Sequence, residues 1–148
     1  MTAVATRSPA AEALTVDACI WVAAFDPRDR FHAEAATFLG EAAAQGVRLL
    51  APRLLLLEVR CAVARRTGDA AAGARAEEAL RSAPFLQLHP VDEHLIAAAG
   101  ELGGAQGLRG ADALYAACAL LHRAPLVTFD AELIVRAGAS PPHRVFVP

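Results

Sequence analysis

The chain has 148 residues, 55% of them apolar and 20% charged, and a formal net charge of −2. That balance excludes a disordered or collagen-like chain and provides for one core large enough to stand without disulfides or a structural metal. With charge so near neutral, a broadly basic surface for polyanions is excluded as well.

Residues 1–13, MTAVATRSPAAEA, show no sustained period, include Pro9, and read as a loose leader; the domain is expected to span 14–148. From there short β-prone runs alternate with longer helical ones: LTVD at 14–17, VRLLA at 47–51, FLQLHPV at 85–91, PLVTF at 125–129 and RVFV at 144–147. A helical stretch, ACIWVAAF, follows Asp17. Residues 29–45 place Phe31, Ala35, Phe38 and Ala42 on one apolar stripe, with Gly46 as a stop. Residues 52–66 open on a proline and close on Arg65, Arg66 and Gly68, the asymmetry expected of a helix. Helical patterns at 69–83, 92–106, 111–123 and 130–137 complete the set. Alternation without a hairpin signal predicts an α/β fold of three layers, α/β/α, around a mainly parallel sheet of about five strands. In such folds ligands bind beyond the carboxyl ends of the strands.

Absences exclude several chemistries. With no lysine and no asparagine, a Walker-type phosphate loop, a Schiff-base enzyme and a kinase catalytic loop are unavailable. Ser8, Ser82 and Ser140 lie outside any G-x-S-x-G turn, which speaks against serine hydrolysis. Cys19, Cys61 and Cys118 stand in apolar stretches without a CxxC pair and read as reduced, buried thiols of a cytoplasmic protein. The five histidines have no metal-ligand spacing and read as surface or loop residues. No apolar run reaches the roughly 18–20 residues needed to cross a bilayer.

Four carboxylates keep apolar company. Asp17 ends the first strand, and Asp130 follows PLVTF. Glu58 has Leu54, Leu55, Cys61 and Ala62 as its neighbours one helical turn away, so no cation on its own helix can pair with it. Asp112 opens the helical run ALYAACALL. Ionised carboxylates in such surroundings are costly unless they are paired or share a cation. Singly, Asp17, Asp112 and Asp130 also read as helix N-caps. Jointly, four acids on one rim repel, and a hard divalent ion, Mg²⁺ or Mn²⁺, relieves the repulsion and suits phosphodiester cleavage. A phosphatase of the haloacid-dehalogenase type is disfavoured, because the D-x-D partner of Asp17 is replaced by Cys19 and lysine is missing.

Three segments, TVDACIWVAAF at 15–25, PRLLLLEVRCAVARR at 52–66 and LRGADALYAACALLHRAPLVTFDAEL at 108–133, together resemble PIN-domain ribonucleases, most closely VapC-type toxins of toxin–antitoxin pairs. The resemblance implies a metal-dependent endoribonuclease with Asp17, Glu58, Asp112 and Asp130 as its acidic quartet. Asp17 and Asp112 would carry the principal metal, and Thr128 would support them. It further implies attack by water, leaving a 3′-hydroxyl and a 5′-phosphate on the RNA. A cognate antitoxin laid across the groove and a homodimer are implied too. The family often has serine or threonine where this chain has Cys19, so a hydroxyl donor near Asp17 is lost.

Arg28, Arg30, Arg53, Arg60, Arg65, Arg66 and Arg109 are candidate RNA phosphate contacts, each with a solvated face or an ion pair as the plainer reading; Arg109 also stands where it could orient Asp112. No aromatic–basic interleaving for stacking single strands is visible in the sequence. Trp21, Phe25 and Phe31 form an aromatic group serving either an interface or the core. The alternative to an enzyme is a non-catalytic module of the same fold that binds RNA or protein and uses the acids only as caps.

Overall fold

The computed structural model describes residues 13–137 and the backbone of 143–145. The predicted alternation folds into β1 (Ala13–Val16), α1 (Ala18–Phe25), α2 (His32–Ala44), β2 (Arg48–Pro52), α3 (Leu54–Thr67), α4 (Ala70–Ser82) and β3 (Leu86–His89). It continues with α5 (Glu93–Gln106), α6 (Gly110–His122), β4 (Leu126–Thr128), α7 (Ala131–Ala137) and β5 (His143–Val145). The strands form one parallel sheet in the order β3-β2-β1-β4-β5. The leader reading of 1–13 lies outside the described residues except at Ala13, which already pairs with Arg48 in the sheet. Positions 146 and 147 of the last predicted strand also lie outside them.

β1 is central, paired with β2 on one side and β4 on the other, and its Leu14, Thr15 and Val16 are all buried. A strand flanked on both edges and covered on both faces needs consecutive apolar residues rather than an alternating pattern. Thr15 tolerates this position because its hydroxyl donates to the Ala124 carbonyl at 3.0 Å. The chain walks from β1 to β2 to β3 in one direction, then crosses back to β4 and on to β5 in the other. Right-handed crossovers that run in opposite directions lie on opposite faces, which gives the three-layer arrangement. The reversal makes the β1/β4 boundary the switch point of the sheet, where the carboxyl ends of the strands leave a crevice.

Helix ends follow local chemistry. Asp69 caps α4 through the Ala71 N–H at 2.8 Å, and Asp92 caps α5 through the Leu95 N–H at 2.9 Å. Gly68 and Gly107 close α3 and α5 in the left-handed conformation. Three expectations are corrected. Pro52 ends β2 instead of opening α3: Leu49 and Arg53 donate toward β3, so Pro52 faces β1, whose pairing with β2 stops at Leu50, and no N–H is needed there. Cys61 is exposed, because Leu55, Leu56, Val59 and Val63 turn the opposite side of α3 to the core. The histidines are not confined to surface loops. His89 lies half-buried in β3 with its ring 3.8 Å from that of His122 at the end of α6, while His32 and His94 belong to α2 and α5. No helix among the described residues is long and apolar enough to cross a membrane.

Candidate active site

Asp17 leaves β1 at the switch point and caps α1, accepting from the Ala18 N–H at 2.8 Å on Oδ1. Its other oxygen accepts from the Thr128 hydroxyl at 2.7 Å and from the Cys19 thiol at 3.3 Å. Thr128 ends the neighbouring strand β4, so the crevice is closed from both sides by side chains that meet on one carboxylate. Burial pushes the Asp17 carboxyl up from its ordinary value more than these donors pull it down, and Asp130 adds repulsion. The same burial drives the Cys19 thiol up to about 12, so it stays protonated, donates to Asp17 and accepts from the Phe129 N–H at 3.4 Å.

Glu58 projects from the first half of α3 and accepts from the Tyr115 hydroxyl at 2.6 Å. Asp112 lies in the first turn of α6, one turn before Tyr115. Desolvation raises both carboxyls, Glu58 further through Asp17 and Asp112, and Asp112 further through Asp17 and Asp130, with Arg109 opposing. Asp130 is exposed and caps α7 through the N–H groups of Glu132 and Leu133. Thr128 accepts from the Asp130 N–H at 3.0 Å and so connects the two strand-end aspartates. The four acids singled out in the sequence thus share one electrostatic neighbourhood. The cap reading also holds for Asp17 and Asp130, whereas Asp112 sits inside its helix and caps nothing.

None of Asp17, Glu58 and Asp112 has an ion-pair partner within 4 Å among the described residues. Nor do three or more His, Cys, Asp or Glu side chains there stand ready to ligate one ion together. As a donor set the cluster still suits a hard cation: it is built of carboxylate oxygens, and Mg²⁺ takes only one or two of these and keeps several waters.

A PIN domain family model matches residues 14–139. The chain belongs to the PIN domain family. Solved structures with the same PIN fold include VapC20, a sarcin–ricin loop cleaving toxin of Mycobacterium tuberculosis, with a TM-score of 0.70 and 21% identity over 81% of this chain and 92% of that one. A toxin–antitoxin complex from Klebsiella pneumoniae gives a TM-score of 0.65 and 20% identity, covering 86% of this chain and 92% of its counterpart. VapBC2 of Rickettsia felis, bound to a DNA fragment from its promoter, gives 0.62 and 18%, covering 90% and 97%. A search of curated proteins finds no match.

Around this PIN site the arginines are mostly committed. Arg66 binds Asp29 at 2.6 Å and Asp26 at 3.4 Å, Arg28 binds Asp26 at 3.2 Å, and Arg60 binds Glu77 at 2.8 Å. Arg109 reaches Glu132 at 4.0 Å with most of its side chain in solvent. Arg53, Arg65 and Arg30 make no ion pair among the described residues, and the Arg30 guanidinium lies 4.4 Å over the Phe31 ring. Trp21 is a core residue stacked on Phe85, while Phe31 stacks on Phe129, so the aromatic group expected near α1 divides in two.

Two residues at the site went unnoticed in the sequence. Tyr115 carried a signal, since it follows Asp112 by one helical turn inside the same quoted motif. Glu132 carried none: it joins Asp112 and Asp130 in a small cleft because Arg136 grips it at 2.6 Å and fastens α7 to the Gly107 carbonyl at 2.7 Å.

Proposed function

We propose that this PIN-domain chain is a metal-dependent endoribonuclease that acts as the toxin of a toxin–antitoxin pair. What supports the reading is the mutual electrostatic influence of Asp17, Glu58, Asp112 and Asp130, three of them with carboxyls raised by burial and by acidic neighbours. A protein that keeps such a cluster without arginine partners has a use for the negative charge. Asp17 and Asp112 would hold Mg²⁺ or Mn²⁺, with Glu58 and Asp130 beside them. A divalent ion at such a site neutralises phosphate charge and lowers the pKa of the attacking water.

The chain's own part is orientation. Thr128, Cys19 and the Ala18 N–H fix both oxygens of Asp17, Tyr115 fixes Glu58, and the α7 N-terminus fixes Asp130. The thiol of Cys19, where the family often has a hydroxyl, donates to Asp17 at 3.3 Å. A protein antitoxin that covers the groove, a homodimer and a cytoplasmic setting belong to the same proposal. The double duty of Asp17 and Asp130 as caps favours the competing reading, a non-catalytic module.

The test is cleavage of total RNA by the purified chain with Mg²⁺, with Mn²⁺ and with EDTA, alongside Asp17→Asn and Asp112→Asn variants whose thermal melts confirm folding. The nuclease reading expects cleavage that requires the ion, vanishes in both variants, and accompanies a rise in melting temperature on adding Mn²⁺. Cleavage that persists in EDTA or in Asp17→Asn refutes the metal-dependent mechanism, and a chain that neither cleaves nor gains stability from metal refutes the nuclease reading in favour of the binding module.

A further inference from the structure

We propose that the groove next to Asp130 is a nucleobase subsite, in which one unpaired base of the RNA stacks on the tier formed by Arg30, Phe31 and Phe129. The choice of ligand class rests on the nuclease reading. The groove itself, about 300 Å³, is a separate observation. It is lined by Cys19, Asp130, Arg30, Phe31 and Phe129 together with the Arg66–Asp29 pair, and it shares Cys19 and Asp130 with the candidate site.

Its wall is a stack of planar groups. The Phe31 and Phe129 rings lie 4.5 Å apart between centroids at an angle of 23°. The Arg30 guanidinium sits 4.4 Å above the Phe31 centroid. Two groups so close to one ring cannot share a face, so Arg30 covers the face of Phe31 turned away from Phe129. Arg30 is exposed and has no carboxylate partner among the described residues, whereas Arg66 across the groove is neutralised by Asp29. A solvent-facing cation–π pair is weakly held, at about 0.5–1 kcal/mol. A base has a flat, polarisable face of its own. It can lie on the planar guanidinium or take its place on Phe31, and either arrangement is a recognised way of holding splayed single-stranded bases.

The charge pattern agrees. Asp130 repels phosphate unless a cation intervenes, Asp29 is paired with Arg66, and Arg30 offers an unpaired positive charge in the same lining. A nucleotide entering there turns its base to the tier of Arg30, Phe31 and Phe129. Because Cys19 and Asp130 belong to both places, this nucleotide is a near neighbour of the bond being cut. The subsite favours unpaired over duplex RNA, because a base inside a helix cannot present its face to Phe31.

The experiment measures binding in EDTA, where no metal-dependent cleavage occurs, using a short single-stranded RNA in which 2-aminopurine is moved through the sequence. One position should show strong fluorescence quenching. Phe31→Leu should weaken binding about tenfold and Arg30→Ala about threefold, while Phe31→Trp should retain it. Arg30 is on the surface, so its variant tests the idea even if Phe31→Leu folds poorly. Replacing the quenched nucleotide by an abasic one should weaken the wild type about tenfold and make Phe31→Leu silent, the coupling expected of a direct stack. The proposal is overturned if abasic RNA binds the wild type within about twofold of the intact strand, or if the variants weaken abasic and intact RNA alike. Cleavage in Mg²⁺ is scored separately: base-dependent binding without cleavage removes the nuclease reading and leaves the subsite, and cleavage without base-dependent binding does the reverse.

Discussion

Replacing Tyr115 by phenylalanine removes one oxygen from a ring that is 1% exposed and leaves its packing in place. What disappears is the 2.6 Å hydrogen bond to Glu58, a short bond that favours the ionised carboxylate. Bonds of this kind are worth about 1.5–3 kcal/mol, and solvent screening of the half-buried Glu58 carboxyl trims that to about 1–2 kcal/mol. For a chain of this length the loss lowers the melting temperature by about 2–8 °C. The dependence on pH is the sharper signature. Glu58 is already raised by burial and by its acidic neighbours, so its ionisation destabilises the fold as pH rises through the folded value, and the Tyr115 bond offsets part of that loss. Below the ordinary glutamate value near 4.5 the carboxyl is protonated, folded or unfolded, and the substitution costs least. Urea denaturation of both proteins without metal, from pH 4 to 8, should give a stability difference that grows with pH. A difference that stays flat or grows toward acid refutes the claim that Tyr115 acts by holding an ionised Glu58.

Other outcomes follow from the same site and its scaffold. Asp17→Asn should abolish metal-dependent RNA cleavage yet raise the metal-free melting temperature near neutral pH, because it removes a buried charge; the gain should fade as pH falls toward the ordinary aspartate value and reverse once Mn²⁺ is added to the wild type. The metal-free protein should be most stable on the acid side of neutrality. Asp17, Glu58 and Asp112 are raised and lose stability as pH rises, whereas Asp26, Asp29, Asp69 and Glu77 are lowered by their partners and lose theirs only in stronger acid. His89, lowered by burial and by His122, opposes the trend below pH 6.5, and calorimetry over the range gives the sum. Gly73→Ala should destabilise by about 1–3 kcal/mol in thermal melts, since a methyl there meets the Arg60 carbonyl of the packed helix α3, outweighing the roughly 1 kcal/mol that alanine gains in a helix.

The periodic features of the fold were legible in the sequence, and what required distant parts to meet was not. β1, β2 and β4 were legible because their apolar residues are buried on both faces, a local pattern that tertiary structure only reinforces, while β3 is a half-exposed strand. Glu58 stands out in the sequence because a carboxylate flanked by leucines has no inexpensive local explanation, and the structure gives it the Tyr115 hydroxyl as its partner. Leu39 was missed as a core residue of α2, since the helix starts at His32 after an Asp29 turn and its buried stripe shifts accordingly. The Phe31–Phe129 stack could not be anticipated: the two residues are remote in the chain and meet only when β4 docks beside β1, which is why the sequence shows no interleaving of aromatic and basic residues while the structure builds one.

The hydrogen bond from Thr128 to Asp17 spans 111 positions of chain, and β4 becomes the neighbour of β1 only after everything between them has been made. A chain emerging from the ribosome therefore carries Asp17 and Glu58 well before β4 arrives, and β1 keeps one edge bare until it does. The crevice is thus closed only once β4 has been made, so a copy that stops short of it holds Asp17 without the Thr128 hydroxyl that fixes it.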